Sequence, residues 1–298
     1  MKHPLKTISR VFWRGTINDI DVCAVASIGG NAKTGNVFEL SLIPTQVIEL
    51  FPEAIKDIAA HQQGAVYVRL MRELDLYLGV CPGTCALLLS GKCYVQYNIR
   101  NAGQVARIIR NIETIPEPGF HRDVLGNAVA MAANWFDVRK VRSMVVGDAA
   151  MLPMMVWVHV MRSIRVKFSA AEFLGYTHAW EDAPWLRPTH VASVDSAEEG
   201  GRAWAAGWST FEGHTAVVET MPQGAVLCPG TKEFERKNEF AFTCNNCPVA
   251  CNGQGKPKRR IAPRHGNGDA STKAAAGRRG ITLTDSKGRV RGLYQATA

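Results

Sequence analysis

The chain has 298 residues, 46% of them hydrophobic, with eight cysteines and a formal net charge of +9. That length is enough to bury a full core as one large domain or two small ones. Residues 1–6 lead into mixed sequence, which argues against a secretory signal or a transmembrane helix. The expected setting is a reducing cytoplasm, where clustered cysteines mean metal or redox chemistry rather than disulfide staples.

The charge is uneven. From residue 252 onward, eleven Lys and Arg face only Asp269 and Asp285, so residues 1–251 balance at twenty-four basic against twenty-four acidic. The expected organisation is a metal-binding body over 1–251 and a basic tail over 252–298.

In chain order, residues 12–14 and 22–28 predict short strands rich in β-branched and apolar side chains. Residues 29–36 read as a turn-rich loop without the lysine-bearing pattern of a phosphate-binding loop. Residues 44–64 predict one helix, with Thr45 as its cap, Ile48, Leu50, Ile55 and Ile58 as its apolar face, and Gly64 as its stop. An apolar run over 76–80 predicts a strand ending at Cys81, with Cys85 and Cys93 beyond it. Helices follow over 104–115, carrying Arg107 and Arg110, and over 121–136. From residue 138 strands and helices alternate: strands over 141–146, 172–177, 190–196, 216–219 and 225–228, helices over 153–164 and 197–207. That beat predicts an α/β fold with a parallel sheet and crossover helices, a partial or complete β/α (TIM-like) barrel. Residues 252–280 hold almost no large apolar side chain, so they are expected to stay flexible, and 281–294 predicts one hairpin.

The cysteines fall in two groups. Cys228, Cys244, Cys247 and Cys251 lie within twenty-four residues, the last three at C-x2-C-x3-C spacing. A tight C-x2-C turn aims two sulfurs at one point, and two more complete a tetrahedral or cubane ligand set. Buried apolar cysteines do not cluster at turn spacing. Cys81, Cys85 and Cys93 supply three. Four thiolates close a site, whereas three leave a position open for water, substrate or cofactor. The first group is therefore the candidate reactive centre; a zinc completed by a histidine or Cys23 is the alternative. Cys-Pro-Gly-Thr stands at both Cys81 and Cys228.

In parallel α/β folds, ligands gather at the carboxyl ends of strands. Those ends carry Gly147-Asp148, Tyr176-Thr177-His178, Asp195-Ser196 and Glu219-Thr220. Asp148, Asp195 and His178 are the candidate catalytic residues, and Gly147, Thr177 and Ser193 the candidate cofactor contacts. Asp195-Ser196 also reads as a helix cap. His159, Trp157, Trp204 and Trp208 read as packing residues, His265 as a substitute zinc ligand for Cys228, and Trp180 and Trp185 as platforms for a stacked base. The tail suits an electrostatic grip on phosphates, with the run from Lys256 to Arg260 held beside the cysteine knuckle, so nucleic acid is the expected partner.

Cys93-Tyr94, Gly147-Asp148, Tyr176-Thr177 and Cys244/Cys247/Cys251 together resemble the gene product 88-like proteins of phages and plasmids. That resemblance implies a mobile-element origin and, for a phage-encoded chain, a host cytoplasm. More distantly, the chain is similar to radical S-adenosylmethionine enzymes, in which three cysteines hold a [4Fe–4S] cluster whose open iron binds the cofactor. The likeness would make Cys81, Cys85 and Cys93 the cluster ligands, Gly147-Asp148 the second motif, Ser193 or Asp195 a ribose contact, and the later group an auxiliary cluster. Here the spacing is C-x3-C-x7-C, and aspartate stands where that family has glutamate. Asp148 and Asp195 with Cys244, Cys247, Cys251 and His265 also resemble the guanine transglycosylases, β/α barrels with a zinc site. The resulting expectation is a metalloenzyme carrying [4Fe–4S] or Zn2+, with S-adenosylmethionine as cofactor, acting on nucleic acid or a nucleotide. The alternatives are a zinc-stabilised nucleic-acid-binding protein and a transglycosylase-like enzyme.

Overall fold

A computed structural model describes residues 9–31, 35–83, 85, 93, 99–136, 138, 140–214, 225–229, 242–244, 247, 251, 259–263, 281–284 and 290–294. The first strands, β1 (Ser9–Ile17) and β2 (Ile20–Asn31), form an antiparallel hairpin. It turns on Asn18 and Asp19, both left-handed at φ 48° and 62°, the pair of residue types that a two-residue hairpin turn selects. β3 (Gly35–Pro44) returns antiparallel to β2. Residues 29–31, 35 and 36 are therefore strand and not the loop expected: Gly29, Gly30 and Asn31 pair with Val37, Asn36 and Gly35; the rest of that expected loop lies outside the described residues. A side chain at Gly29 would put its Cβ 1.8 Å from the Glu39 carboxyl carbon. Glycine lets that buried carboxylate lie over the strand.

The single helix expected over 44–64 is two, α1 (Thr45–Ala54) and α2 (Gln63–Glu73). Pro52 lies inside α1, and a proline's missing N–H and its ring work against continuation; Gly64 is buried within α2 instead of stopping a helix. Leu50, assigned to the apolar face, is 43% exposed. The segment before Cys81 is a 3-10 turn, Tyr77–Gly79, not a strand. The next helices, α3 (Ile99–Arg110) and α4 (Arg122–Phe136), stand where the sequence put them, α3 shifted toward the N-terminus.

A two-residue strand, β4 (Gly119–Phe120), pairs antiparallel with β1. From β3 onward the sheet is parallel. β5 (Lys140–Arg142) lies between β3 and β6 (Glu172–Leu174), and β7 (Tyr176–Thr177) lies beside β8 (Val191–Val194). Only Gly175 separates β6 from β7, so the two sheet segments run together. There the ring of His190 occupies the place a Cβ would take, 2.2 Å away. Beyond β8 come β9 (Thr210–His214), β11 (Arg259–Pro263) and β10 (Ala225–Leu227). The crossovers include α5 (Met154–Lys167) between β5 and β6, and α6 (Ala197–Ala205) between β8 and β9. Among the described residues this is an α/β fold with six α-helices in which eight of the strands, β3 and β5 to β11, pair in parallel, compatible with a partial β/α barrel.

β9 was not anticipated, and the strand expected over 216–219 lies outside the described residues. The basic segment is not wholly loose, because Arg259–Pro263 inserts as β11 between β9 and β10. Parallel pairing on both sides supplies backbone partners that its own composition does not reveal. The hairpin expected over 281–294 is present as β12 (Ile281–Thr284) and β13 (Val290–Tyr294). The core gathers Phe12, Phe38, Leu42, Phe51, Met71, Trp157 and Phe173, all but fully buried. Among the described residues no helix is long and apolar enough to cross a membrane.

Candidate functional site

Gly147 and Asp148 follow the continuation of β5, where Val145 and Val146 still hydrogen-bond to Leu40 and Leu42 of β3 after an interruption at Met144 (φ 49°). Gly147 is glycine for two reasons. Its φ is 83°, and a Cβ would meet the Val80 carbonyl oxygen at 2.8 Å and Leu42 Cβ at 2.9 Å. Backbone conformation and packing by themselves thus require glycine here.

Asp148 is 4% exposed. Its backbone N–H donates to Val80 O at 2.8 Å, which ties the cysteine-bearing turn to the strand ends. Its carboxylate accepts from the N–H groups of Ala150 and His178, each at 2.9 Å, and from the Thr177 hydroxyl. Desolvation pushes the Asp148 carboxyl above its ordinary range, and those donors, with the nearby His178 ring, hold it back. Thr177 is fully buried, and its Oγ1 also accepts from Ala179 N at 3.1 Å. It is occupied in holding Asp148 and the following turn.

His178 extends the cluster. Its Nδ1 lies 3.9 Å from Asp195 Oδ2, with 21% and 25% of the two side chains exposed. The capping question at Asp195-Ser196 resolves between neighbours. Ser196 Oγ accepts from Glu199 N at 3.1 Å and caps α6, while Glu199 reaches back to accept from Asp195 N at 2.8 Å. The Asp195 carboxylate faces His178. Asp148, His178 and Asp195 therefore do come together at the carboxyl ends of β5, β7 and β8. Ser193 pairs in register with Phe211, whose ring packs 4.9 Å from Tyr176. Strand alternation puts it on the face opposite Thr177, so Ser193 and Thr177 do not share one pocket wall.

The first cysteine group meets this cluster. Cys81 N donates to Tyr77 O at 2.8 Å and Cys85 N to Pro82 O at 3.0 Å, so both sulfurs ride on tight turns. Gly79 packs that turn against Ile20 and Val22 of β2, with no room for a Cβ. Desolvation drives the Cys81 thiol well above the ordinary thiol range, and Cys93, Cys85 and Asp148 push it further, each by opposing another negative charge nearby. The second group gathers elsewhere on the sheet. Desolvation raises the Tyr176 phenol well above the usual tyrosine range, as do Cys251, Cys244 and Cys228, and the hydroxyl hydrogen-bonds to Cys251. Lys140 Nζ donates to Cys247 O, and Gly175 N donates to Cys251 O at 3.2 Å.

Thiols, the soft donors that zinc and iron–sulfur clusters take, thus neighbour Cys81 and Tyr176, most of them only partly buried. Among the described residues no group of three or more His, Cys, Asp or Glu side chains is placed so that it could hold a metal ion.

The other candidates divide. Cys23 is fully buried, and its Sγ contacts Thr45 Oγ1 at 3.3 Å; with desolvation as the main cause, its thiol is pushed up to about 11. Trp180 is not a base platform. It is 5% exposed, with Nε1 donating to Glu199 at 3.2 Å, and Trp185 packs against the core. Trp157 and Trp208 are buried as expected, whereas Trp204 is 39% exposed. His159 is exposed rather than packed inside, its ring stacked on Phe120 at 5.5 Å. His265, Tyr94, Glu219 and Thr220 lie outside the described residues. Sequence reasoning missed Glu199 and Lys140. The Ser196-x-x-Glu199 spacing of a capping box would have found the first; nothing local marks the second. Compared with known proteins, the chain matches no protein-family model, no curated protein and no solved structure.

Proposed function

We propose that the chain is a metal-dependent enzyme whose reactive centre is built on Cys81, Cys85 and Cys93 at the carboxyl ends of the parallel strands. One observation carries this reading: the desolvated Cys81 thiol has Cys93, Cys85 and Asp148 as its electrostatic neighbours, and Asp148 is itself suspended from β7. Three thiolates leave one metal position open, and a [4Fe–4S] cluster there would supply a single electron to a sulfonium cofactor such as S-adenosylmethionine. The chain's own residues do the rest. Asp148 accepts three hydrogen bonds from its scaffold and so positions the turn beneath the thiols. His178, partly open to solvent and facing Asp195, exchanges protons with the substrate. Strand order β3, β5, β6 in one sheet and β7, β8, β9 in the next follows chain order, before β11 intervenes ahead of β10; that order is compatible with the partial β/α barrel this reading needs. The excess positive charge beyond residue 251 favours nucleic acid or a nucleotide as substrate.

Anaerobic purification followed by iron and sulfide analysis tests the centre. Iron and sulfide that disappear in Cys81→Ser support it; a colourless protein with stoichiometric zinc and no sulfide overturns it in favour of a zinc-stabilised nucleic-acid-binding protein. That second reading rests on the C-terminal charge. Because β11 belongs to the sheet, its test is truncation after residue 263. Salt-dependent binding to an oligonucleotide should collapse, and binding that survives unchanged defeats it.

A further inference from the structure

We propose that the notch where α1, the start of α2 and the end of α3 meet is a binding site for a small carboxylate bearing a branched aliphatic body and an acylated N–H, the chemistry of an N-acyl aliphatic amino acid. It shares no residue with the cysteines or with Asp148, His178 and Asp195, so it stands apart from the function proposed above. The site exists because the helix expected over 44–64 breaks. α1 stops at Ala54, two residues after Pro52, and the chain turns before α2 begins at Gln63. Ile55 and Ile58, freed from a helical face, stand as half-buried walls with Ile112, over a floor of buried Ile48 and Ile109. The cleft encloses about 380 Å3, within the size range of small-molecule sites.

The lining selects the ligand. Its apolar side chains are all aliphatic and none is aromatic, so a branched alkyl group packs there, whereas a planar base has nothing to stack on. Two cations, Lys56 and Arg110, stand exposed at the rim, and no Asp or Glu lines the cleft. Lys56 meets Glu53 at 3.5 Å, but with 69% and 82% of those side chains exposed the pair is weak and leaves the rim positive. Arg110 offers a guanidinium fork that suits a carboxylate. One wall also carries an unpaired polar atom. Gln63 is 7% exposed; its Nε2 donates to Ile58 O at 3.2 Å, while its Oε1 has no hydrogen-bond partner. A buried acceptor without a donor costs free energy, and a neutral N–H supplies that donor without burying another charge. The terminal torsion of a glutamine is soft, so Oε1 turns to meet a donor entering the cleft. Carboxylate at the rim, alkyl group on the isoleucines and N–H to Gln63 describe an N-acyl amino acid, either free or as the last residue of a peptide.

The test titrates the full chain with N-acetyl-L-leucine, read by calorimetry and amide NMR. One molecule should bind with a dissociation constant below about 1 mM, shifting amides of residues 55–63 and 109–112. N-acetyl-L-leucinamide, which lacks the carboxylate, should bind roughly tenfold more weakly or worse, the size of a lost charged hydrogen bond. Isocaproate, which lacks the N–H, should bind severalfold more weakly. Lys56→Gln with Arg110→Gln, both on exposed side chains, should leave the urea midpoint unchanged and cost about tenfold or more in affinity. A short peptide ending in leucine separates the two sources. Tighter binding than N-acetyl-L-leucine assigns the cleft to protein chain ends, and exclusion of the peptide assigns it to a free metabolite; either result supports the site. Equal affinity for the leucinamide, unchanged affinity in the doubly substituted protein, displacement by inorganic phosphate at equal concentration, or no saturable binding of either N-acetyl-L-leucine or the peptide would each overturn the proposal.

Discussion

Replacing Gly147 by alanine tests the backbone role of glycine in the Gly147-Asp148 motif. At φ 83° an alanine is held in the left-handed region, which costs about 1–2 kcal/mol. The added Cβ meets Val80 O at 2.8 Å and Leu42 Cβ at 2.9 Å. Both neighbours are packed, and forcing them apart costs a further ~1–3 kcal/mol. Val80 O is also the acceptor for Asp148 N, so any retreat loosens a bond worth about 1 kcal/mol. The sum, roughly 3–6 kcal/mol, is a large share of an ordinary domain's stability. Urea denaturation should show a midpoint lower by about 1 M or more at unchanged slope. The control is Gly126→Ala in α4, where the new Cβ would meet only Lys167 side-chain carbons at 3.6 Å; it should gain about 0.5–1 kcal/mol from helix propensity. A Gly147→Ala protein within about 1 kcal/mol of the parent would refute the reasoning.

Asp148→Asn turns one carboxylate oxygen into an N–H donor facing the backbone N–H of Ala150 or His178. It should cost about 1–3 kcal/mol in thermal unfolding and abolish any activity. His190 gives a pH prediction. Fully buried between Thr189 and Ser143, its imidazole is pulled down from 6.5 to about 3 by desolvation. Between those values the unfolded chain binds the extra proton, so stability falls as pH falls. From pH 7 to pH 5 this group should remove about 2 kcal/mol, measured by urea unfolding. In His190→Gln that component should vanish; parallel losses in both proteins would exclude it. Asp148 has the opposite sign, since its raised carboxyl favours the folded state as pH falls through its folded value, so Asp148→Asn should lose stability more steeply on acidification than the parent. Lys140→Met removes the donor to Cys247 O and the partner of Glu172; it should speed hydrogen exchange at Gly175 and β10 while leaving β1–β3 unchanged.

The strand–helix beat from residue 138 was legible because buried parallel strands need continuous apolar runs, and their crossovers need helical spacing; hence α5, α6, β8 and β10 fell near their expected places. The Thr45 helix was misread because periodicity does not register a proline that ends a helix early. β11 was invisible because Arg259 and Arg260 carry no strand signature, and only the paired edges of β9 and β10 make their backbone extended. At the site, Asp148, His178 and Asp195 could be named from strand ends, but their separate roles could not.

Sequence alone determined which atoms are at hand: thiols at turn spacing, acids at strand ends, and a glycine before an aspartate. Those follow from local chain geometry, which fixes reach and direction over a few residues. The tertiary structure decided who faces whom. It set Cys81 beside Asp148, more than sixty residues later, and Tyr176 beside Cys251, seventy-five residues on. Such pairings depend on strand order and on which face each side chain takes in the sheet, and only packing of the whole core settles that.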